Sequence, residues 1–405
     1  MFNTRKINDT LFYIGVPDTK ITLFENMYPV ENGMQYNSYL FVDKYTALMD
    51  TSDISTSNLF FENLLYALNG RSLDYLVVHH MEPDHCANIS NIVKHFPNVK
   101  IVGNKKTFTF IEQFFQEDLK NNYFEVSEGS ILDLGVNKLE FICAPMIHWP
   151  EVMFSYEHTN KLLFSADAFG SFGALKGHIF SSDINFNNYL EEFRRYYINI
   201  VGKFGVNVKN TIVKIANKTI NLILPLHGVV LNNKKDINLA IEKYTTWSTF
   251  KAEDSGVVIC YATMHNNSEN ANFILANYLS ELGVKNIEMF DLSKYDHSYP
   301  IAKSFQYSHL VITALSYYGA LHHSVAHFLN KLAFDNFQNK RVAYIYNSTW
   351  ASAALKEAKE YIEKCKNITA IEKEVIIKSS VSRENYNDLK ELAKIIAQEI
   401  LSNKI

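Results

Sequence analysis

One ten-residue stretch, Leu76–His85 with the sequence LVVHHMEPDH, limits what this chain can fold into. It opens with an unbroken apolar run, which is typical of a strand buried in a parallel sheet. The run stops at ionisable residues, and in α/β folds ligands bind at the carboxyl ends of strands. Pro83 keeps the preceding residue out of a helix. In an extended loop His80, Glu82 and Asp84 would alternate and project to one side. Such groups repel one another and lose hydration, and a metal cation would relieve both costs.

The alternative interpretation of this stretch is a polar loop with a helix cap. Asp84 could cap a following helix whose apolar residues fall at i, i+3, i+4 and i+7, namely Ile89, Ile92, Val93 and Phe96. Capping explains one residue and leaves His80, Glu82 and His85 unexplained. The sequence therefore favours a metal site.

Length and composition restrict the class of protein. A chain of 405 residues predicts two or more domains, and 47% hydrophobic residues allow a sizeable core. The net charge is only −4, and no basic stripe indicates nucleic acid. The polar N-terminus lacks a signal core, and no stretch approaches the ~20 apolar residues of a membrane span. Four widely spaced cysteines indicate a reducing compartment and no appended rubredoxin or iron–sulfur module. We expect a cytoplasmic protein without membrane or nucleic-acid partners.

Four strand-like segments each run into a residue that can bind a metal. They are Leu76–Val78 before His80, Leu139–Ile142 before His148, Leu162–Ser165 before Asp167, and Ile220–Leu224 before His227. A lone histidine at a strand end is more often a hydrogen-bonded structural residue. Four such ends in one chain, each near proline or glycine, indicate a common site.

Several short sequence motifs extend this pattern: HMEPDH at 80–85, PMIHWP at 145–150, SADAFGSFG at 165–173, RRYYINIVGKF at 194–204 and LPLHG at 224–228. Together they resemble the flavodiiron protein (A-type flavoprotein) branch of the metallo-β-lactamase-like fold. The resemblance implies an α/β chain with a metallo-β-lactamase-like αββα sandwich over residues 1–250. A flavodoxin-like doubly wound parallel sheet follows over residues 251–405. Hydrolases of the same fold carry histidine where this chain has Glu82.

The resemblance also implies a set of metal ligands. One iron takes His80, Glu82 and His148, a second takes Asp84, His85 and His227, and Asp167 bridges the two. Three carboxylates without a thiolate form a hard, anionic site that suits iron better than zinc. His85 is the least secure ligand, because the neighbouring His79 competes with it.

The C-terminal half alternates strand, loop and helix, which predicts a doubly wound parallel sheet. Its first loop, TMHNNS, resembles a flavodoxin phosphate loop, where hydroxyls and the amides of a helix N-terminus attract phosphate. Aromatic residues of two later loops would flank an isoalloxazine ring. We therefore expect FMN to be bound by Thr263, Met264, His265, Asn266, Asn267, Ser268, Ser316, Tyr317, Tyr318, Gly319, Thr349 and Trp350.

Two features depart from the usual pattern of the family. The FMN loops are poor in glycine, with Asn266 where glycine is common and Leu315 where proline is common. Asparagine tolerates a left-handed backbone, so Asn266 is workable. Glu25 stands where the family often has histidine, which would alter the outer pocket and with it the substrate preference. The other interpretation of this half is a flavodoxin-like domain kept for dimer packing.

The resemblance implies an oxidoreductase that reduces dioxygen to water, nitric oxide to nitrous oxide, or both, at a diiron centre supplied through FMN. It also implies head-to-tail homodimers, or dimers of dimers, in which each flavin faces the partner's diiron site. A separate donor, such as a rubredoxin or a reduced soluble cofactor, would supply electrons. Two alternatives remain: a hydrolase with a dinuclear zinc site, and a flavin electron carrier with an inactive metal domain.

Overall fold

The computed structural model describes residues 2–402. The chain forms two compact units, one up to Thr245 and a second from Thr246 onward. Within the described residues, no helix is both long and apolar enough to cross a membrane.

The first unit is built from sixteen short strands in the described part of the chain. They are β1 Arg5–Lys6, β2 Leu11–Tyr13, β3 Val16–Asp18, β4 Leu23–Phe24, β5 Tyr28–Pro29, β6 Met34–Tyr36, β7 Tyr39–Val42, β8 Thr46–Met49, β9 Tyr75–Val77, β10 Lys100–Gly103, β11 Tyr123–Glu125, β12 Ile131–Asp133, β13 Lys138–Cys143, β14 Met153–Glu157, β15 Leu162–Phe164 and β16 Leu222–Leu224. One sheet has the order β1-β2-β7-β8-β9-β10-β11 and another the order β12-β13-β14-β15-β16. Two-stranded ribbons β3-β6 and β4-β5 complete the unit.

Helices connect these strands. They are α1 Ser57–Leu68, α2 Pro83–Cys86, α3 Ile89–His95, α4 Lys105–Phe114, α5 Phe186–Tyr196, α6 Gly205–Ile215 and α7 Lys234–Trp247. Short 3-10 turns lie at Ile54–Thr56, Lys120–Asn122, Ser181–Asp183 and Gly202–Phe204, and a π-helical turn lies at Tyr197–Val201. The strands β8, β9, β10 and β11 pair in parallel. Parallel pairing requires crossover connections, which α1 to α4 supply.

The two large sheets share one hydrophobic core. Apolar side chains from both sheets meet in it, including Phe41, Val77, Phe141, Phe164 and Leu224. Each of these side chains is at most 2% exposed, so the sheets pack face to face as a sandwich. This rigid core fixes the strand ends from which the candidate ligands project.

Two local predictions differ from the structure. The sequence from about residue 187 to 215 predicts one long helical stretch, but in the structure π-helical and 3-10 turns interrupt it between Tyr196 and Gly205. Two glycines, Gly202 and Gly205, weaken a regular helix there. The extended loop expected through Asp84 ends at Glu82, because Pro83 begins the helical turn α2. Proline favours the first position of a helix, where its missing N–H costs nothing.

The second unit has a parallel sheet with helices on its connections. Its strands are β17 Asp254–Tyr261, β18 Ile287–Asp291, β19 Tyr307–Tyr317, β20 Ala320–Leu321, β21 Gln338–Ser348, β22 Lys366–Ala370 and β23 Val375–Lys378. Its helices are α8 Asn267–Glu281, α9 Ser298–Gln306, α10 His323–Phe334, α11 Ala354–Ile362 and α12 Arg383–Ser402. The order β18-β17-β19-β21-β22, with β23 also on β21, is the flavodoxin-like arrangement. Its ligand position is the switch point beside the first strand of the unit.

Candidate functional site

The loops after β9, β13, β15 and β16 bring all seven predicted metal ligands together. Their side chains form two clusters, and within each cluster the candidate ligand atoms lie within 4.8 Å of one another. The first cluster is His80, Glu82, His148 and Asp167, and the second is Asp84, His85 and His227.

Glu82 lies between the two imidazoles of the first cluster. Its Oε2 is 3.2 Å from Nε2 of His80 and 3.0 Å from Nε2 of His148. The extended backbone of Glu82 at the start of α2 keeps its side chain on the same side as His80. A histidine at this position would supply a nitrogen in place of the anionic oxygen.

The second cluster places three ligand atoms around a common centre. Nε2 of His85 is 3.0 Å from Nε2 of His227, and Oδ2 of Asp84 is 3.2 Å from each of these nitrogens. Asp84 and His85 are adjacent in the helical turn α2, which directs both toward His227. His79 does not compete with His85, because its ring contacts Asp50 and Ser155.

Asp167 joins the two clusters through its two oxygens. Its Oδ2 is 3.1 Å from Nε2 of His148 and 3.5 Å from Nε2 of His80. Its Oδ1 is 3.3 Å from Nε2 of His85 and 3.7 Å from Nε2 of His227. The carboxylate is 1% exposed, so it lies between the two ligand clusters and out of water.

The directions of these groups fit metal ions better than hydrogen bonds. Both oxygens of Asp84 and Oδ1 of Asp167 are buried and lack a correctly aligned hydrogen-bond donor among the described residues. The facing Nε2 atoms of His85 and His227 can share only one proton between them. Buried carboxylate oxygens that lack a hydrogen-bond donor and lie beside imidazole nitrogens are suited to a shared cation. The donor set therefore fits a dinuclear metal centre.

The protein's own charges perturb the ligands strongly. Burial lowers the pKa of His80 and of His148, but neighbouring carboxylates outweigh this effect, and Asp167 makes the largest single contribution among them. The pKa of His148 is thereby raised to about 9, and that of His80 rises well above its usual range. Burial raises the pKa of Asp167, but the imidazoles of His80, His148 and His85 bring it well below the ordinary value. The cluster thus holds anionic carboxylates beside proton-bearing imidazoles.

Sequence reasoning missed the groups that support the ligands from behind. Nδ1 of His80 donates to Oε1 of Glu151 over 2.8 Å, and Nδ1 of His227 donates to the backbone oxygen of Gln35 over 2.7 Å. Glu151 lies three residues after His148, but no periodicity marks it as functional. The Gln35 contact uses a backbone atom and leaves no signal in the sequence.

A cavity of about 640 Å³ opens beside the clusters. Glu82, Asp84 and His148 line it, and the apolar side chains around them include Ile21, Leu23, Phe24, Met27, Trp149 and Ile200. Glu25 also lines this cavity, from the turn between β4 and β5. Its pKa is raised to about 8 by burial first and by the charge of Glu82 second. Such walls admit a small neutral molecule.

The second unit has a smaller pocket of about 120 Å³ at the carboxyl ends of its strands. Eight of the predicted cofactor residues line it: Thr263, Met264, His265, Asn267, Ser268, Ser316, Thr349 and Trp350. Leu315, Asn347, Ser348 and Ser379 also line it, and none of these four is among the predicted cofactor residues. Ser379 directly follows β23, so the end of that short strand is the signal that marks it.

The remaining predicted cofactor residues lie next to this pocket. Asn266 precedes α8 with a left-handed φ of 62°, as expected for a residue replacing glycine there. Tyr317 ends β19, and Tyr318 and Gly319 form the turn to β20, so the chain has a hairpin where an open loop was expected. The strand continues because Leu315, Ser316 and Tyr317 still pair with neighbouring strands.

The pocket fits a phosphate-bearing ligand. Oγ1 of Thr263 is buried without a hydrogen-bond partner among the described residues. The pocket also lies at the N-terminus of the fifteen-residue helix α8, whose free amides favour an anion. The aromatic residues beside it are open to solvent, with Tyr318 86% and Trp350 66% exposed. The residues present therefore suit FMN, with its phosphate in the pocket and its ring across the rim.

Comparison with known proteins agrees with this geometry. Residues 34–228 match the family model described as ODP family beta lactamase. An uncharacterized protein of Methanocaldococcus jannaschii is 32% identical over 69% of this chain and 69% of its own length. The anaerobic nitric oxide reductase flavorubredoxin of Pectobacterium atrosepticum is 27% identical over 87% of this chain and 69% of its own length.

Solved structures match almost the whole chain. Rubredoxin oxygen:oxidoreductase from Desulfovibrio gigas has a TM-score of 0.91 at 24% identity, covering 98% of this chain and 99% of the other. The flavodiiron protein from Giardia intestinalis has a TM-score of 0.91 at 20% identity, covering 98% of each chain.

The chain belongs to the flavodiiron protein family. The predicted fold class, a metallo-β-lactamase-like sandwich followed by a flavodoxin-like sheet, is confirmed.

Proposed function

We propose that this flavodiiron protein is a reductase of dioxygen, of nitric oxide, or of both, with electrons relayed through FMN to a pair of iron ions. Two ferrous ions supply two electrons and reduced FMN two more, which suffices to reduce dioxygen to water, while coupling of nitric oxide to nitrous oxide needs two. Rubredoxin oxygen:oxidoreductase and nitric oxide reductase flavorubredoxin are among the proteins it resembles.

The carboxylate of Asp167 is the observation that carries this proposal. Its two oxygens lie near different groups of imidazoles, so one side chain would serve two metal positions. His80, Glu82 and His148 would hold one iron, and the three residues of the second cluster, Asp84, His85 and His227, would hold the other. A mononuclear site would need no such shared carboxylate.

The remaining residues of the first unit prepare the site. The apolar side chains in the cavity wall would favour small neutral molecules such as the two gases. Burial of the imidazoles and carboxylates strengthens their electrostatic interactions. We assign residues 1–250 to the diiron domain and residues 251–405 to the FMN domain, a boundary close to the division between the two compact units after Thr245.

In the second unit, the pocket residues would hold the FMN phosphate, and the aromatic rim would contact its ring. Thr263 and Ser268 offer hydroxyl groups, and the loop before α8 offers backbone amides. The exposed rim of Tyr318, Trp350 and Met264 supports an oligomer in which a partner covers the flavin. We propose a head-to-tail dimer, alone or paired with a second dimer, in which each flavin serves the partner's irons.

We further propose a cytoplasmic location and a separate electron donor of the rubredoxin type or a soluble reduced cofactor. The names of two similar proteins, rubredoxin oxygen:oxidoreductase and nitric oxide reductase flavorubredoxin, both contain rubredoxin, which supports this class of donor.

The deciding experiment measures cofactors and turnover in the same anaerobic preparation. Purified protein is assayed for iron, zinc and FMN, reduced chemically, and mixed with dioxygen or nitric oxide. The expected result is two irons and one FMN per chain, with catalytic consumption of at least one gas. Two zinc ions with hydrolytic turnover, or FMN redox cycling that survives Glu82→Ala with undiminished gas consumption, would contradict the proposal.

A further inference from the structure

The histidines of the two clusters differ in what their outer ring nitrogens contact. Nδ1 of His80 meets the Glu151 carboxylate, and Nδ1 of His227 meets the neutral backbone oxygen of Gln35. Nδ1 of His85 has no hydrogen-bond partner in the part of the chain that the structure describes. Only the first cluster therefore has a histidine supported by a second, non-ligating carboxylate among these three contacts.

Glu151 is held firmly in the position behind His80. Its side chain is fully buried, and its Oε1 accepts from the backbone N–H of Met81 over 2.8 Å as well as from His80. Its backbone oxygen accepts from Nδ2 of Asn104 over 2.6 Å. The loops after β9, β10 and β13 are thus tied together through this one residue.

This contact decides where the proton of His80 lies. Oε1 of Glu151 accepts the backbone N–H of Met81, so this oxygen acts as an acceptor. Nδ1 of His80 faces the same oxygen and therefore carries the hydrogen of their contact. When metal binding displaces the second ring proton of His80, the proton that leaves is the one on Nε2, which faces Glu82 and Asp167 at 3.2 Å and 3.5 Å. A carboxylate acceptor also makes an imidazole a more basic ligand than a neutral carbonyl does.

We propose that Glu151 is a positioning residue that makes the two metal positions unequal. It fixes the tautomer of His80 for metal binding and makes the position of His80, Glu82 and His148 the one that better stabilises the ferric ion. The ferric part of this inference rests on the proposed function. The tautomer part applies to any divalent metal.

Two variants separate the geometry from the charge. Glu151→Ala removes both hydrogen bonds and frees the tautomer of His80. Glu151→Gln can keep an acceptor oxygen for Met81 and His80, with its amide nitrogen at the place of Oε2, which has no hydrogen-bond partner among the described residues. The glutamine therefore removes the charge while leaving the hydrogen bonds possible.

Asp50→Asn is the matched control. Asp50 is a buried carboxylate that contacts Nδ1 of His79 at 2.5 Å, while Nε2 of His79 contacts Ser155. Like Glu151→Gln, this variant replaces a carboxylate by an amide beside a buried histidine, here His79, which directly precedes His80 in the sequence. His79 faces no metal ligand cluster, and the asparagine oxygen can still accept from the backbone N–H groups of His79 and His80, so metal binding should match that of the unmodified protein.

In the first measurement, metal-free protein is titrated with Co²⁺. Binding is monitored by the visible absorption of the bound Co²⁺ and by competition with a chelator. The unmodified protein and Asp50→Asn should bind two equivalents. In Glu151→Ala, one equivalent should weaken by roughly 10–100-fold while the other is retained. Equal binding in Glu151→Ala and Asp50→Asn would overturn the tautomer part. This measurement needs neither iron nor gas turnover, so it stands apart from the proposed function.

The second measurement follows the iron-loaded protein by redox titration with electron paramagnetic resonance. Glu151→Gln should keep two irons but raise the ferric/ferrous potential of one of them, by about 59 mV for each tenfold loss of ferric preference. Potentials unchanged from those of Asp50→Asn would overturn the ferric part. If Glu151→Ala does not fold, Glu151→Gln still decides the ferric part, because the charge is removed without removing the acceptor.

Discussion

Metal binding to this protein should displace protons in a number that the cluster geometry sets. The pKa values of His80, His85 and His148 are all raised, because nearby carboxylates outweigh the lowering effect of burial. At pH 7 His80 and His148 therefore carry protons in the metal-free protein, and an imidazole must be neutral to bind a metal. Filling both positions should therefore release at least about two protons, and the overall binding constant should rise at least about 10²-fold per pH unit.

Isothermal titration calorimetry with Co²⁺ at pH 7 measures this release. The apparent enthalpy is recorded in buffers of different ionisation enthalpy, and the slope gives the number of protons. His158→Gln is the control, because His158 pairs with Glu140 and belongs to neither ligand cluster, so the slope should not change. A slope near zero would refute the assignment of protons to these imidazoles. Affinity that falls with rising pH between 6.5 and 9 would refute its sign.

Three further outcomes are expected. Glu82→Ala should lower iron content and reduce gas turnover by roughly 100-fold or more, measured by metal analysis and gas electrodes, because both imidazoles of the first cluster lose their shared oxygen. In metal-free protein, protonated His148 contributes up to about 3 kcal/mol to the free energy of unfolding. This stability is present below about pH 6.5 and is lost as the pH rises through about 9, and urea unfolding at these two pH values measures the difference. Thr263→Val should weaken FMN binding by roughly tenfold in a fluorescence titration, because it removes the hydroxyl of a buried Oγ1 that has no hydrogen-bond partner among the described residues.

The strand ends and the residues that follow them were predictable from sequence. His80, His148, Asp167 and His227 each follow a short apolar run, and those runs correspond to β9, β13, β15 and β16. Buried strands make such runs visible because both faces must be apolar. The identity and order of the candidate ligand residues after each run were then sufficient to relate the chain to a family.

Other features depended on contacts between distant segments. The turn α2 redirects Asp84 away from Glu82, although alternation in the sequence suggested one common side. Glu151 acquires its role only where the loops after β9 and β13 meet. In the second unit, β19 and β21 extend beyond their apolar centres because strand pairing continues into polar residues such as Ser316 and Asn347. Local sequence carries no record of these contacts.

The negative charges of the metal ligands and of Glu151 together balance the positive charges of two divalent metal ions. Glu82, Asp84 and Asp167 bring three negative charges into a buried site, and two divalent ions would bring four positive ones. Glu151 supplies a fourth negative charge in direct contact with a ligand, so the buried group of residues and ions becomes neutral. A neutral assembly costs less to bury than one with an uncompensated charge. Because oxidation of the irons adds positive charge, loss of Glu151 should disfavour the oxidised state most, which is the direction of the potential shift expected for Glu151→Gln.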